Sequence, residues 1–302
     1  MLPPAPRPSP PLLRRVLTAA LVLAGVACGG GSDGASESAP RGGAAGAAGT
    51  FTVAVAASLA PAVEALAVRS AAAGAPRARL AVGASSTLVR QLELGAPYEV
   101  LVSADERWLD RLADASLVDP ASRVTLGRGR LVVAARGEAA QGEATDGTLP
   151  GGRWACGDPA HVPLGRYARA ALAGRGQWDE AAARLVPAAD ARAALRLVER
   201  GEVDWGILYR SDVDRSEAVH VRCELDAALH PEIRYVAAAV PGASEAARGF
   251  LRALAGAEGA AVLADHGLDP PRRREAEGPA GEPAGGPVER PLAGRDGEGA
   301  AR

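Results

Sequence analysis

The chain has 302 residues with 34 basic and 36 acidic side chains, so its formal net charge is −2 at pH 7. This balance provides no basic surface of the kind that binds nucleic acid. The basic side chains, histidine aside, are all arginines, and the lack of lysine excludes a Walker-type phosphate loop, a Schiff-base lysine and a Ser–Lys dyad.

The N-terminal residues follow the order of an export signal. Arg14 and Arg15 precede the short apolar run Val16–Ala27, and Cys28 comes directly after it. This order predicts a lipoprotein signal peptide at residues 1–28, with a lipid attached to Cys28. Cleavage of an ordinary secretion signal near Cys28 is the alternative. In both cases we expect the mature protein in the periplasm or on the outer face of the cell membrane.

Composition divides the rest of the chain into three parts. Residues 29–49 are rich in Gly, Ala and Ser, which predicts a flexible tether because such a segment cannot bury a core. Residues 271–302 are rich in Gly, Pro, Glu and Arg and predict a disordered tail. The residues between these segments suffice for two modest domains. Nowhere after the signal do ~18 consecutive apolar residues predict a membrane span.

Strand-like and helix-like runs alternate through this central part. The apolar runs that predict strands are Phe51–Ala57, Arg79–Val82, Glu99–Ser103, Arg130–Ala135, Arg153–Cys156, Val203–Tyr209, Val219–Cys223 and Arg234–Val240. The runs that predict helices are Leu59–Ala72, Thr87–Leu94, Glu106–Ala113, Gly165–Ala173, Ala191–Arg200, Ser244–Ala255 and Ala257–His266. Short strands with helices between them predict an α/β fold with largely parallel sheets. The break at Arg136–Gly152 predicts two lobes with a cleft between them.

Two turns carry serines where a strand-like run changes into a helix-like one. They are Ala57–Leu59 and Gly83–Leu88, which contain Ser58 and Ser85. A serine there offers a hydroxyl donor beside the unpaired backbone N–H groups at the positive end of a helix. Because neither turn holds a cation, the two turns predict a small anion that is held by neutral donors. The alternative is that each serine only caps its helix.

A series of motifs in a fixed order makes the chain similar to a known family. The matching segments are Ala56–Leu59, Ser85–Gln91, Gly95–Pro97, Val102–Asp105, Trp108, Leu117–Asp119, Gly157–Ala168, Leu197–Glu202 and Gly206–Tyr209. Together they resemble the molybdate-binding proteins of bacterial ABC transporters, which are type II periplasmic binding proteins. The resemblance extends over about Phe51 to Leu268, and Gly157–Ala168 is its longest match.

The resemblance implies a set of ligand-binding residues. Ser58 and Ser85 would each donate through the hydroxyl and the backbone N–H. Leu164 and Ala191 would each donate through the backbone N–H alone, and Tyr209 through its phenolic hydroxyl. The implied ligand is the tetrahedral molybdate dianion, so that molybdenum is present only inside the oxyanion. No cofactor and no catalysed reaction are implied.

The resemblance also implies an architecture and partners. Each lobe would be a mostly parallel sheet flanked by helices, with residues 50–134 and 235–270 in lobe 1 and residues 135–234 in lobe 2. A monomer would deliver the oxyanion to a membrane permease that is driven by a cytoplasmic ATPase. It would contact the membrane only through its lipid anchor.

Several alternatives stay open at this level. Tungstate has almost the same size and charge as molybdate, and sulfate is another tetrahedral oxyanion. A secreted serine hydrolase that uses Ser58 or Ser85 is a remote alternative, because neither serine lies in a Gly-x-Ser-x-Gly turn. Cys156 and Cys223 are compatible with one disulfide or with two buried thiols.

Two charged residues lie within the matching motifs. Asp105 precedes the predicted helix Glu106–Ala113 and is expected to cap it. Arg166 follows the turn that contains Leu164. It lies close enough to that turn to be a charge behind the ligand groups, but we expect it to be exposed at the surface.

Overall fold

The computed structural model describes residues 49–137 and 151–272. The predicted signal peptide with Cys28 lies outside the described residues, as do nearly all of the predicted tether and tail. In the described part of the chain, no helix combines the length and the apolar character that crossing a lipid bilayer requires.

The described strands form two five-stranded sheets. The first sheet contains β1 (Thr50–Ala56), β2 (Arg77–Gly83), β3 (Val100–Ser103), β4 (Val124–Gly129) and β10 (Ile233–Ala239). The second sheet contains β5 (Leu131–Arg136), β6 (Trp154–Gly157), β7 (Leu185–Ala188), β8 (Trp205–Tyr209) and β9 (Val219–Glu224). The strand orders are β2-β1-β3-β10-β4 and β7-β6-β8-β5-β9.

Helices connect most of these strands and cover the sheets. They are α1 (Ala60–Ala72), α2 (Ser85–Glu93), α3 (Glu106–Asp114), α4 (Pro163–Gly174), α5 (Trp178–Ala182), α6 (Ala191–Glu199), α7 (Arg210–Val213), α8 (Glu245–Ala255) and α9 (Ala257–Asp265). Short 3₁₀ turns occur at Pro120–Ser122 and Ala227–Leu229. Two sheets with helices around them confirm the prediction of a two-lobed α/β fold.

Largely parallel sheets are predicted from the sequence, and in each sheet four of the five strands run in the same direction. In the first sheet β1 pairs in parallel with β2 and β3, but β10 runs antiparallel to β3 and β4. In the second sheet β6 pairs in parallel with β7 and β8, but β5 runs antiparallel to β8 and β9. The reversed strand is in each case the one that enters from the other sheet. Because no crossover helix precedes it, its direction is opposite to that of its neighbours.

The first crossing between the sheets lies earlier in the chain than predicted. Strand β5 starts at Leu131 and pairs along its whole length within the second sheet. The predicted end of lobe 1 at residue 134 therefore falls inside this strand, and the crossing is the single residue Arg130. The residues Gly127–Arg130 interrupt the apolar pattern at this point, a break that the sequence analysis does not use.

Alternation along the strands divides the core of lobe 1 between two faces of the sheet. Phe51, Val53 and Val55 are buried in the cluster that also contains residues of α1 and α8. Ala54 and Leu101 are buried in a separate cluster, with residues of α2 and α3. The period of two thus buries both faces of the sheet.

Two stacked tryptophans form the centre of lobe 2. Trp154 and Trp205 are buried, and their rings lie 5.2 Å apart with an angle of 7° between the planes. Cys156, two residues after Trp154, is buried and is not in a disulfide; its thiol donates to the Gly157 carbonyl oxygen at 3.0 Å.

Candidate anion-binding site

A small cavity lies between the two lobes at the carboxyl ends of the central strands. Its lining residues come from both sheets and are Ala56, Ala57, Ser58, Gly83, Ala84, Ser85, Ala104, Val162, Pro163, Leu164, Asp190, Ala191 and Tyr209. All five residues predicted to bind the anion are among them. The structure brings these residues together, while their contact with a ligand stays a prediction.

Strand register explains why the two serines meet. β1 and β2 pair in parallel with Ala56 opposite Gly83, and the Ala57 N–H continues the pairing by donating to the Gly83 carbonyl oxygen at 2.9 Å. Ser58 and Ser85 each lie two residues beyond this last strand pair. They therefore reach the same edge of the sheet, where both are almost fully buried, at 2% and 1% exposure.

Neither serine hydroxyl caps a helix. Helix α1 has Leu59 at its N-cap with no side-chain capping bond, and the Ser58 hydroxyl has no hydrogen-bond partner within the described residues. Ser85 is the first residue of α2, two residues earlier than the predicted helix start. Its oxygen accepts from the Ala104 N–H at 3.1 Å. That bond orients the side chain and leaves the hydroxyl proton available for an acceptor in the cavity.

In lobe 2 the first donor comes from the start of α4. This helix has Val162 at its N-cap and Pro163 in its first turn. Because proline has no N–H, the first backbone donor of the helix is that of Leu164. The helix can approach β6 closely because its third residue is Gly165, where a Cβ would overlap the carbonyl oxygen of Gly157.

The second donor of lobe 2 is the Ala191 N–H at the start of α6. The Asp190 carboxylate lies beside it, and the sequence analysis does not place this carboxylate in the site. Asp190 caps α6, with Oδ1 accepting from the Ala193 N–H at 2.8 Å. Ala191, the first residue of α6, lies between Asp190 and Ala193 in the chain, and it lines the cavity. Asp190 lines it too, although a site made only of donors was expected. Asp directly before a helical run is an N-cap signal, and it could have indicated this carboxylate.

Tyr209 contributes a buried hydroxyl that has no hydrogen-bond partner among the described residues. It ends β8, is 1% exposed, and its phenolic oxygen has no hydrogen-bond partner there. Burial, followed by the neighbouring Tyr235, raises the pKa of Tyr209 well above its ordinary value of 10.0. The phenol therefore stays protonated and acts as a donor at physiological pH. A buried donor without a partner costs ~1–3 kcal/mol, and an anion in the cavity would remove that cost.

The electrostatics of the cavity come from backbone rather than from cations. Helices α2, α4 and α6 all begin at its wall, so their unpaired N–H groups and the positive ends of their dipoles face the same space. No arginine or histidine is among the described residues that line it. The arrangement can hold a small anion by hydrogen bonds from neutral donors.

Arg166 differs from the prediction of surface exposure. Its side chain is 21% exposed, and Nη1 lies 2.6 Å from Oδ2 of Asp105 in the other lobe. Asp105 also caps α3, as predicted, by accepting from the Arg107 N–H at 3.1 Å. The pairing was missed because the two residues are 61 positions apart in the chain.

Comparisons with known proteins point to one family. The model of the bacterial extracellular solute-binding proteins matches residues 51–269. The molybdate-binding protein ModA of Escherichia coli is 40% identical over 192 residues, which are 61% of this chain and 75% of the relative. ModA of Haemophilus influenzae is 35% identical over the same shares. The structure of the Azotobacter vinelandii periplasmic molybdate-binding protein matches 74% of this chain and 100% of its own, at 25% identity and a TM-score of 0.65.

Proposed function

The chain belongs to the bacterial extracellular solute-binding proteins, and from this membership we propose that it captures molybdate for an ABC transporter. The observation that carries the proposal is the convergence of neutral donors from both lobes on one cavity. The buried Tyr209 hydroxyl, which lacks a partner in the described residues, adds to it. The relatives from Escherichia coli and Haemophilus influenzae, both named as molybdate-binding proteins, support the same ligand.

The chemistry of the ligand agrees with this set of donors. Molybdate at neutral pH is a fully deprotonated dianion, so every oxygen accepts hydrogen bonds. Bonds to a charged acceptor are roughly twice as strong as neutral pairs, and helix N-termini add positive charge without the desolvation cost of a buried arginine. The proposed ligands are the side chains and backbone of Ser58 and Ser85, the backbone N–H groups of Leu164 and Ala191, and the hydroxyl of Tyr209.

Closure of the cleft completes the donor shell. Ser58 and Ser85 belong to lobe 1, whereas Leu164, Ala191 and Tyr209 belong to lobe 2. An anion that enters the open cleft first contacts one set, and hinge motion at the two crossings between the sheets adds the other. The closed form delivers the anion to a membrane permease driven by a cytoplasmic ATPase. The binding protein itself forms and breaks no covalent bond in this cycle.

The anchoring and oligomeric state belong to the same proposal. The family is extracellular, and a lipid on Cys28 would tether a monomer to the membrane surface. Cys28→Ser is expected to release the protein from the membrane fraction. A wild-type protein that is already free after export would contradict the anchor.

A serine hydrolase is less favoured than a binding protein. A serine nucleophile needs a neighbouring base, and the described residues that line the cavity include neither histidine nor lysine. Tungstate is a closer alternative, because it presents the same charge and shape to the same donors.

Titration with four oxyanions tests the proposal. Isothermal calorimetry and thermal unfolding are measured with molybdate, tungstate, sulfate and phosphate. At a ligand concentration of 100 Kd the folded state gains ~2.7 kcal/mol, which for a body of this size raises the Tm by roughly 5–11 °C. We expect this shift with molybdate and tungstate and a smaller one with sulfate or phosphate. No heat and no shift with either molybdate or tungstate would refute the proposed function.

A further inference from the structure

One buried ion pair joins the two lobes directly beside the cavity. Asp105 follows β3 in lobe 1, and Arg166 lies in the first turn of α4 in lobe 2. Oδ2 of Asp105 accepts from Nη1 of Arg166 at 2.6 Å, and the carboxylate is 2% exposed. We call Asp105 and Arg166 the interlobe pair.

Both members of the interlobe pair are connected to proposed ligand groups. Ala104, the residue before Asp105, lines the cavity and donates its N–H to the oxygen of Ser85 at 3.1 Å. Arg166 is two residues after Leu164, whose N–H faces the cavity at the start of the same helix. The pair therefore holds the Ser85 end of lobe 1 against the Leu164 end of lobe 2.

The members of the pair lie on different lobes, so we expect opening of the cleft to separate them. In the closed cleft, burial raises the pKa of Asp105, so closure without a cation beside this carboxylate is unfavourable. Arg107 also compensates the carboxylate, because its backbone N–H donates to Oδ1 at 3.1 Å and its Nε lies 3.7 Å from the same oxygen, but its side chain is 61% exposed. The Arg166 guanidinium compensates the carboxylate at the moment of closure.

We propose that Arg166 is a positioning residue that slows release of the bound oxyanion by pairing with Asp105 across the closed cleft. It acts without touching the ligand, because it is not among the residues that line the cavity. This inference rests on the proposed function and extends it to the kinetics of the same site.

The chain offers a matched control for the test. Arg111 and Glu93 form an ion pair of the same length, 2.6 Å, but both residues lie in lobe 1. Arg111→Gln therefore removes an arginine–carboxylate pair that cleft opening does not break. Arg166→Gln removes the interlobe pair, and Arg166→Lys retains the charge with a different geometry.

The release rate of bound molybdate is measured by diluting the radiolabelled complex into excess unlabelled molybdate, at low and at high salt. Calorimetry gives the Kd of each protein, and the association rate follows from the two values. Losing one partner of a buried charge pair acts mainly on the dissociation rate. The size of this effect is moderate here, because the Arg166 side chain is partly exposed. We therefore expect Arg166→Gln to raise the release rate about tenfold, with the association rate within about twofold of the wild-type value.

Further variants test the same expectation for the release rate. Arg166→Lys should restore part of the slow release, and Arg111→Gln should release molybdate as the wild type does. Asp105→Asn keeps an oxygen for the cap of α3, and combined with Arg166→Gln it should add little to the effect of either change alone. High salt should accelerate release from the wild type more than from Arg166→Gln.

Two failures are distinguishable in this experiment. A wild type that binds neither molybdate nor tungstate overturns the proposed function and the inference with it. A wild type that binds normally, with release unchanged in Arg166→Gln or raised equally in Arg111→Gln, overturns the role of Arg166 alone.

Discussion

Removal of the Tyr209 hydroxyl is expected to weaken ligand binding and to leave the ligand-free protein at least as stable. Tyr209→Phe keeps the buried ring, which packs edge-on against Tyr235 with centroids 5.9 Å apart. It deletes only the phenolic oxygen, which has no hydrogen-bond partner in the described residues. The substitution should therefore lower the affinity for the ligand, whereas the stability of the ligand-free protein should stay the same or rise.

The expected magnitudes follow from that missing partner. A hydrogen bond to a charged acceptor contributes ~1.5–3 kcal/mol, so losing it raises the Kd for molybdate about tenfold to a hundredfold. In the ligand-free protein an unpaired buried hydroxyl costs ~1–3 kcal/mol, and its deletion recovers part of that cost. With a gain of up to ~1 kcal/mol, the Tm of ligand-free Tyr209→Phe should equal that of the wild type or exceed it by about 2–4 °C.

Calorimetric titration with molybdate and thermal unfolding without ligand are the two measurements. Tyr235→Phe is the matched control, because it removes the same group from a buried tyrosine that does not line the cavity. Its Kd should stay within about twofold of the wild-type value.

Two results would refute this reasoning. Unchanged affinity in Tyr209→Phe would show that the hydroxyl makes no contact with the anion. A Tm several degrees lower in the ligand-free variant would show that the hydroxyl is already bonded in the folded protein.

Three further predictions concern the serines, the start of α4 and a buried carboxylate. Ser58→Ala combined with Ser85→Ala should raise the Kd for molybdate more than about a hundredfold, because two donors to a dianion are lost; calorimetry showing unchanged affinity would mean that the two turns do not bind the anion. Gly165→Ala should destabilise the protein by ~1–3 kcal/mol, since the new methyl group overlaps the Gly157 carbonyl oxygen; an unaltered urea midpoint would contradict this. Burial raises the pKa of Asp212 from its ordinary value of 3.8 to about 7, so the folded state keeps a proton that the unfolded state has released. Stability should therefore fall as the pH rises from about 4 to about 7, by at most ~1.4 kcal/mol per unit, and Asp212→Asn should flatten this slope in urea titrations; equal slopes in both proteins would assign the dependence to other groups.

Part of the candidate site could be predicted because its determinants are local. Ser58 and Ser85 each follow a strand by two residues, and in-register pairing of neighbouring parallel strands brings such positions to one edge of the sheet. The resemblance to the family added Leu164, Ala191 and Tyr209 to this group, and the structure places all of them on one cavity.

Other features could not be predicted because they depend on contacts between distant residues. A cavity of donors alone was expected; the N-cap signal of Asp190 is local, but only the tertiary structure shows that its carboxylate lines the cavity. Arg166 was expected at the surface, whereas the cleft brings this side chain against Asp105. Periodicity shows which residues are buried, but it does not show which charges face each other across a cleft.

The sequence by itself determined the alternation of strands and helices, the serines at two helix starts and the division into two lobes. Each of these depends on neighbours within a few residues, through periodicity and helix-start chemistry. Only the tertiary structure decided the reversed directions of β5 and β10, the interlobe pair and the Tyr209 hydroxyl that has no partner among the described residues. Strand direction depends on how the chain crosses between sheets, and the partner of a buried polar atom depends on which distant groups packing brings within hydrogen-bond distance.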